Sequence, residues 1–311
     1  MNVWVLAPEE EWICDRLARE FSEDNSDIVT SDVERADIIW LLADFAWRHV
    51  PFDTLRRKRV LTTIHHCVPD KWDALAHHDF LLRDAVTSVY HVPNKHTHDF
   101  VRPMTKKPIF IIPYWANASI WKKTGEKHEI REKLGLPSHG FLIGSFQRDT
   151  EGSSISLGSF LPKNEKGPDL FADFVIDVYT RWRHKGSNFQ NPTPHVVLAG
   201  WRRQYLMKRL DDAAVPYTYF EFPSQDALNE LYQTLDLYPV TSRYEGGPQA
   251  LIETGLLGIP VVSRPVGIAE QVLPSYAIND NIALALPSVP DVSALKTPMG
   301  YEPYRELLKS L

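Results

Sequence analysis

"RYEGGPQALIETGLLGIPVV", residues 243–262, places Glu245 and Glu253 eight residues apart around a Gly-Gly-Pro entrance to a mostly apolar run. The preceding "LDLYPV" reads as a strand, "TSRYEGG" as the loop at its carboxyl end and "PQALIETGLL" as a helix. Pro248 suits the first helical turn, where its missing N–H is not needed. Gly258 is the expected stop, with Pro260 just beyond it. Gly246 and Gly247 have no side chains, so a ligand can approach the backbone amides at the helix start. Those N–H groups and the positive end of the helix dipole favour an anion such as phosphate. Glu245 lies beside that spot, and Glu253 lies roughly 7–8 Å along the helix at 1.5 Å per residue. An anion with hydroxyls on either side is the layout of a nucleotide-sugar. Spacing alone is served equally well by helix punctuation, with Glu253 a partly solvated acid.

The segment closes a longer series. "FLIGSF", "HVVLAG", "YTYFEF", "LDLYPV" and "GIPVVS" read as strands, separated by helices such as "PDLFADFVIDVYTRW" and "SQDALNELYQTL". In the first of these helices Leu170, Phe171, Phe174, Val175 and Val178 share one face. An earlier series runs through "NVWVLA", "ADIIWLLA", "RVLTTIHH", "SVYHV" and "PIFIIPY", with an amphipathic helix in "EEEWICDRLAREF". Strands spaced in this way predict parallel sheets covered on both faces, with ligands at the carboxyl ends of the strands. The charged stretch "KKTGEKHEI", 122–130, reads as a linker, and "GYEPYRELLKSL" as a terminal helix. The expected architecture is α/β, with two doubly wound, Rossmann-like parallel-sheet domains facing across a cleft. Residues 1–122 form the acceptor side and 123–290 the donor side. Residues 291–311 form a tail and helix, for which packing back on the first domain is one option.

Composition sets the boundaries of function. With 311 residues, 43% hydrophobic and 24% charged, the chain can bury two ordinary cores. A net charge of -6 supplies no basic field for nucleic acid. No run approaches the roughly 20 apolar residues that span a bilayer. The start "MNVWVLAPEEEW" lacks a basic n-region, so no signal peptide is expected. Cys14 and Cys67 make neither a disulfide framework nor a metal set, which fits a reducing cytoplasm.

The quoted segment resembles the E-x7-E signature of GT-B glycosyltransferases, glycosyltransferase family 4 in particular. There an "EGxGxxxxE" loop and helix precede "GxPVV" and then "GGxxE". The matching residues here are Glu245, Gly246, Glu253, Gly258, Pro260, Val261 and Val262, then Gly267 and Glu270 in "PVGIAEQVL". The likeness continues upstream through "ALNELYQTLDLYPVTSRYEGG" and covers the C-terminal half far better than the N-terminal half.

This resemblance implies retaining, metal-independent transfer of a sugar from a UDP- or GDP-linked donor to a carbohydrate or lipid-linked acceptor. No cofactor is implied beyond that co-substrate. Arg148 and Lys166, the latter followed by Gly167 in "EKGPDLF", would bind the donor diphosphate, with Gly144 in "IGSF", Gly246, Gly247 and Pro248 beside it. Glu253 would hold ribose hydroxyls, Glu245 would orient the sugar, and His65, aligned with the family histidine of a "vtvHD"-like run, would contact the sugar from the other domain. A solvated loop lysine is the alternative for Lys166, and a structural histidine for His65.

Departures from the pattern are specific. Seventeen residues, "DTEGSSISLGSFLPKNE", separate Arg148 from Lys166. "IIPYWANASIW" stands where the family has "vIPNGVDxxxF", with Trp115 at its glycine and Asn117 at its acid. The glycine-rich loop after the first strand is replaced by "APEEEW", where Glu9, Glu10 and Glu11 serve as first-turn acids or select an acceptor. The basic run "LRRKR", 55–59, reads as a solvated turn, with peripheral contact at the inner face of a membrane as the other option. The absence of any D-x-D pair disfavours the metal-dependent GT-A type. A nucleotide-sugar epimerase of the same fold, or a non-catalytic nucleotide-sugar-binding scaffold, are the alternatives in function.

Overall fold

A computed structural model of the chain describes residues 1–9, 13–152, 160–185 and 192–311. The chain divides into two compact units. The first comprises Met1–Asn117, Glu245–Gly247 and Ser293–Leu311, and the second Ala118–Tyr244 and Pro248–Val292.

In the first unit, strands β1 (Val3–Leu6), β2 (Ile38–Leu41), β3 (Arg59–Thr63), β4 (Val89–Val92) and β5 (Ile109–Ile111) form one sheet in that order. Every pairing is parallel. A further parallel bridge joins Val3 to Val29, on the chain that leaves the helix Ile13–Asp24. The chain therefore crosses to one side of β1 first and to the other side for β2, which is the reversal that makes a doubly wound sheet. Strands β2 and β4 are buried throughout, as apolar runs covered on both faces should be.

The second unit repeats the logic with β6 (Phe141–Ser145), β7 (Pro194–Ala199), β8 (Tyr217–Phe220), β9 (Tyr238–Val240) and β10 (Val261–Ser263). Strands β6, β7 and β8 pair in parallel, as do β9 and β10. A parallel bridge between Ile143 and Leu237 joins the two sets, so β6 is flanked by β7 on one side and by the β9 chain on the other. Helix Pro168–Lys185 packs Phe171, Ala172 and Val175 on this sheet with Val196, Leu198, Leu206 and Leu210.

Two expectations are corrected. The charged stretch 122–130 is not merely a linker, because helix Lys127–Lys133 begins inside it behind a Glu126–Glu129 capping box. Its charges anchor it to the second unit: Arg131 Nη2 donates to the Thr234 carbonyl at 2.7 Å and to Asp236 at 2.7 Å. The run 55–59 spans the end of helix Phe52–Arg57 and the start of β3, and the Lys58 ammonium donates to the carbonyls of Glu34 and Ala36, both at 2.7 Å. Among the described residues no helix is long and apolar enough to cross a membrane.

An aromatic box holds the C-terminal helix, Glu302–Ser310, within the first unit. Phe21 lies at its centre, with ring centroids 4.9 Å from Trp40, 5.8 Å from Trp115 and 5.5 Å from Tyr301. Trp115, which occupies the family's glycine position, is buried here and donates its indole N–H to Glu20 at 2.8 Å. Next to the box, the Trp40 indole donates to Thr63 Oγ1 at 2.8 Å, and the Thr63 hydroxyl donates in turn to His91 Nδ1 at 3.0 Å. His91 Nε2–H then donates to the Ile112 carbonyl at 2.8 Å. Both ring nitrogens are thus satisfied by the neutral imidazole.

Two predictions follow from this core. Phe21→Ala should lower unfolding free energy by about 3–5 kcal/mol, read by urea denaturation, because the surrounding rings of Trp40, Trp115, Tyr301 and Tyr304 cannot collapse into the void. Burial pushes the His91 imidazole down from 6.5 to about 4. Its folded pKa therefore lies below the unfolded one. The stability tied to the neutral ring is complete above 6.5 and is lost as pH falls towards about 4, by roughly 3 kcal/mol. Thermal denaturation across this window should be shallower in His91→Asn, which cannot titrate.

Candidate active site

In the second unit the winding reverses at β6, and the carboxyl ends of β6 and β9 are joined above that point. Residues Asn164–Lys166 form one 3-10 turn, ending on Gly167 at φ 59°. A β-carbon on Gly167 would lie 2.0 Å from the Thr241 carbonyl oxygen, so both conformation and backbone approach demand glycine. The Lys166 carbonyl accepts from Gln147 Nε2 at 2.8 Å, and Ser242 Oγ donates to Gln147 Oε1 at 3.1 Å. Arg243 completes the clamp with paired bonds to Asp169 at 2.8 and 2.6 Å. The main chain of Lys166 is thereby fixed at the loop where a doubly wound sheet receives its ligand.

Arg148 lies on the next loop. Its Nε donates to the Thr150 carbonyl at 3.1 Å, and its Nη2 to the Gly152 carbonyl. Its guanidinium carbon lies 5.0 Å from the Trp201 ring centroid, and that of Arg202 lies 5.8 Å from the same ring. Burial first, and then the Arg202 charge, lower the Arg148 pKa. The loop itself is pinned by a buried ion pair, Arg203 Nε to Asp149 at 2.5 Å. The 149–165 insertion begins and ends as a ribbon, with Thr150 bridged antiparallel to Pro162; its residues 153–159 lie outside the described residues.

Glu253 is buried on helix Gln249–Leu257, where the Tyr232 hydroxyl is hydrogen-bonded to it and burial holds that hydroxyl protonated. Pro248 is the N-cap of this helix, one residue outside the turn expected for it. The first-turn amides accordingly begin at Gln249, and Gly246 and Gly247 precede the helix. Gly258 ends it in the left-handed region at φ 73°. Gly144 lies within β6, and a β-carbon there would meet Leu235 Cδ1 at 2.3 Å, so packing alone requires glycine at this position.

The first unit holds the other candidates. His65 follows β3 and is partly buried. Its Nε2–H donates to the Leu42 carbonyl at 2.7 Å, with Cys14 Sγ at 3.2 Å from the same nitrogen. Tyr114 O–H donates to Nδ1. Burial, opposed by Asp44, pushes the imidazole pKa down. Glu245–Gly247 belongs to this unit too. A β-carbon on Gly246 would lie 2.2 Å from the His65 carbonyl oxygen and 3.1 Å from Pro93 Cγ, so it is protein backbone that approaches this glycine closely. Of the expected site residues, His65, Glu245, Gly246 and Gly247 thus fall in the first unit, and Gly144, Arg148, Lys166, Pro248 and Glu253 in the second. Glu9 has φ 58° and donates its N–H to Asp15 at 2.9 Å, whereas Glu10 and Glu11 lie outside the described residues.

Sequence reading missed Asn94, Tyr114 and Arg203. Only Asn94 carries a local signal, an Asn directly before a helical stretch. The other two are defined by partners far along the chain.

Comparison with known proteins agrees with this fold. The family model described as Glycosyl transferases group 1 matches residues 153–291. No curated protein matches the chain. Among solved structures the chain is similar to HepE from Anabaena, solved with UDP and glucose and with UDP-glucose, at 13% identity, 100% and 99% coverage of the two chains and a TM-score of 0.72. It is similar to sucrose-phosphate synthase from Thermosynechococcus elongatus at 16% identity, covering 98% and 81%, with a TM-score of 0.59. WaaG, a glycosyltransferase involved in lipopolysaccharide biosynthesis, aligns at 14% identity over 100% and 90% with a TM-score of 0.59. Such likeness is of fold: an α/β chain of the GT-B fold, with two Rossmann-like parallel-sheet units.

Proposed function

We propose that the protein is a retaining, family 4-like glycosyltransferase that moves a sugar from a nucleotide-diphosphate-sugar to an acceptor hydroxyl. The observation that carries this reading is the Lys166–Gly167 turn, held against the Thr241 carbonyl where the β6 and β9 ends meet. A lysine on a turn whose main chain is fixed at a winding reversal is suited to a phosphate, and the matched family region, 153–291, contains Lys166, Glu245 and Glu253.

In the proposed reaction the bond between the anomeric carbon and the diphosphate oxygen breaks as the acceptor oxygen bonds to the same face of the sugar. The acceptor's proton passes to the departing oxygen. Arg148 and Lys166 neutralise the diphosphate charge without need of a metal ion. Glu253 accepts from ribose hydroxyls, and Glu245 orients the sugar, with His65 beside its main chain. The UDP complexes of HepE make uridine-linked sugars the first donors to test, with GDP-linked ones beside them.

The test is incubation with a panel of these donors and carbohydrate or lipid-linked acceptors in chelator. Acceptor-dependent nucleotide release with an α-anomeric product from an α-donor supports the proposal. Isomerised donor without release would indicate an epimerase, and binding without either change a non-catalytic protein. Lys166→Ala should reduce kcat/KM for donor by about 10- to 100-fold, the value of a lost charge-assisted hydrogen bond. Glu253→Ala should weaken binding of the free nucleotide about tenfold, measured by calorimetry. Unchanged values in the folded variants would remove these two roles.

A further inference from the structure

We infer that Asn94 is a positioning residue for Glu245, holding the main chain of the acidic loop on the first unit. The inference rests on the glycosyl-transfer reading only for its effect on turnover.

Asn94 has no exposed surface and stands at the N-cap of helix Lys95–Val101. Its Oδ1 accepts from the Thr97 N–H at 2.8 Å. Its Nδ2 donates to the Glu245 carbonyl at 3.2 Å and to the Gly246 carbonyl. The amide therefore has one orientation: oxygen towards a backbone donor, nitrogen towards two backbone acceptors. No other small capping side chain can do both. Aspartate caps the helix but turns lone pairs on two carbonyls, and serine caps it but cannot reach them.

The rest of the seat limits the loop from the other side. Gly246 rests on the His65 carbonyl, which also accepts from Thr97 Oγ1 at 3.4 Å, and on the Pro93 ring. Thr97 and Asn94 thus hold the His65 and Glu245 carbonyls from one helical turn. A carboxylate whose Cα is fixed in this way explores rotamers and not loop conformations, which is what a sugar-orienting group requires. Asn94 touches no reacting atom in this scheme and acts through Glu245.

The experiment compares wild type with Asn94→Asp, using Asn94→Ser as the second variant where the first is unfolded. Glutamyl endopeptidase cleaves after glutamate, so it reports directly on the Glu245–Gly246 bond whose carbonyl Asn94 holds. Cleavage at this bond should be about tenfold faster in the folded variant, with other sites unchanged. With a donor that wild type turns over, kcat should fall about tenfold while affinity for the free nucleotide is retained. Equal cleavage rates in wild type and a folded variant would overturn the inference. Faster cleavage with unchanged kcat would overturn the positioning role. Absence of transfer by wild type itself would sink the functional proposal, and the cleavage comparison would still decide whether Asn94 holds the loop.

Discussion

The second unit is organised around the guanidinium of Arg203, which has no exposed surface. It donates to Asp149 at 2.5 Å, to the Ser145 carbonyl at 2.6 Å, to Ser145 Oγ at 2.8 Å and to the Ala199 carbonyl at 2.5 Å. Ser145 ends β6 and Ala199 ends β7, so one side chain fastens together the carboxyl ends of two neighbouring strands. Asp149 extends the fastening, because Thr150 Oγ1 donates to it at 2.7 Å and accepts from the Tyr205 N–H at 2.9 Å. Removing one partner of such a buried pair leaves an uncompensated charge, at a cost of about 3–5 kcal/mol. Arg148 and Arg202 adjoin this pair in sequence, so their placement over Trp201 is inherited from it. Two like charges on one indole are tolerable because the loops beneath them have no freedom to separate.

This dependence explains what was legible in the sequence. Parallel strands buried on both faces must be continuous apolar runs, and "ADIIWLLA", "RVLTTIHH", "FLIGSF" and "HVVLAG" are such runs. The order of runs and helices then implies the winding, and winding implies where ligands go. The sequence reading assigns no helix over Phe52–Arg57, Ala74–Asp84, Lys95–Val101 or Gln204–Asp212, all of which the structure forms. In Ala74–Asp84 the exposed Leu75, Leu81 and Leu82 obscure the stripe, since only Phe80 and Arg83 are buried. The Lys166–Gly167 pair is picked out by its resemblance to the family pattern, and the structure shows why the second residue is glycine: local backbone geometry demands it. Arg203 was not, because an arginine after a strand acquires its meaning only from Ser145 and Asp149, more than fifty residues away.

Glycine gave the most instructive differences. At Gly246 the sequence suggests room for a ligand, and the resemblance sets Gly144 beside the donor, whereas the structure supplies a protein neighbour in each case: the His65 carbonyl for one and Leu235 for the other. A missing β-carbon reports a close approach without naming what approaches. Helix boundaries act similarly. The break at Gly-Gly-Pro was read as the first helical turn, but the N-cap falls on Pro248, and the glycines belong to a loop that joins the first unit.

In the proposed transfer, the state of His65 bears on where the acceptor's proton would go. Its Nε2–H is committed to the Leu42 carbonyl and its Nδ1 to the Tyr114 hydroxyl, and burial disfavours the imidazolium. Taking a proton would require Nδ1 to give up the Tyr114 bond and the ring to carry a charge in a poorly solvated position. A general base should have a vacant acceptor, which this ring lacks, and burial pushes its pKa down. In the proposed retaining transfer the diphosphate oxygen, which gains negative charge as its bond to the sugar breaks and would lie on the face from which the acceptor approaches, is the stronger claimant. His65 then serves best as it stands: a neutral ring whose carbonyl seats Gly246 and whose fixed tautomer keeps the end of β3 rigid beneath Glu245.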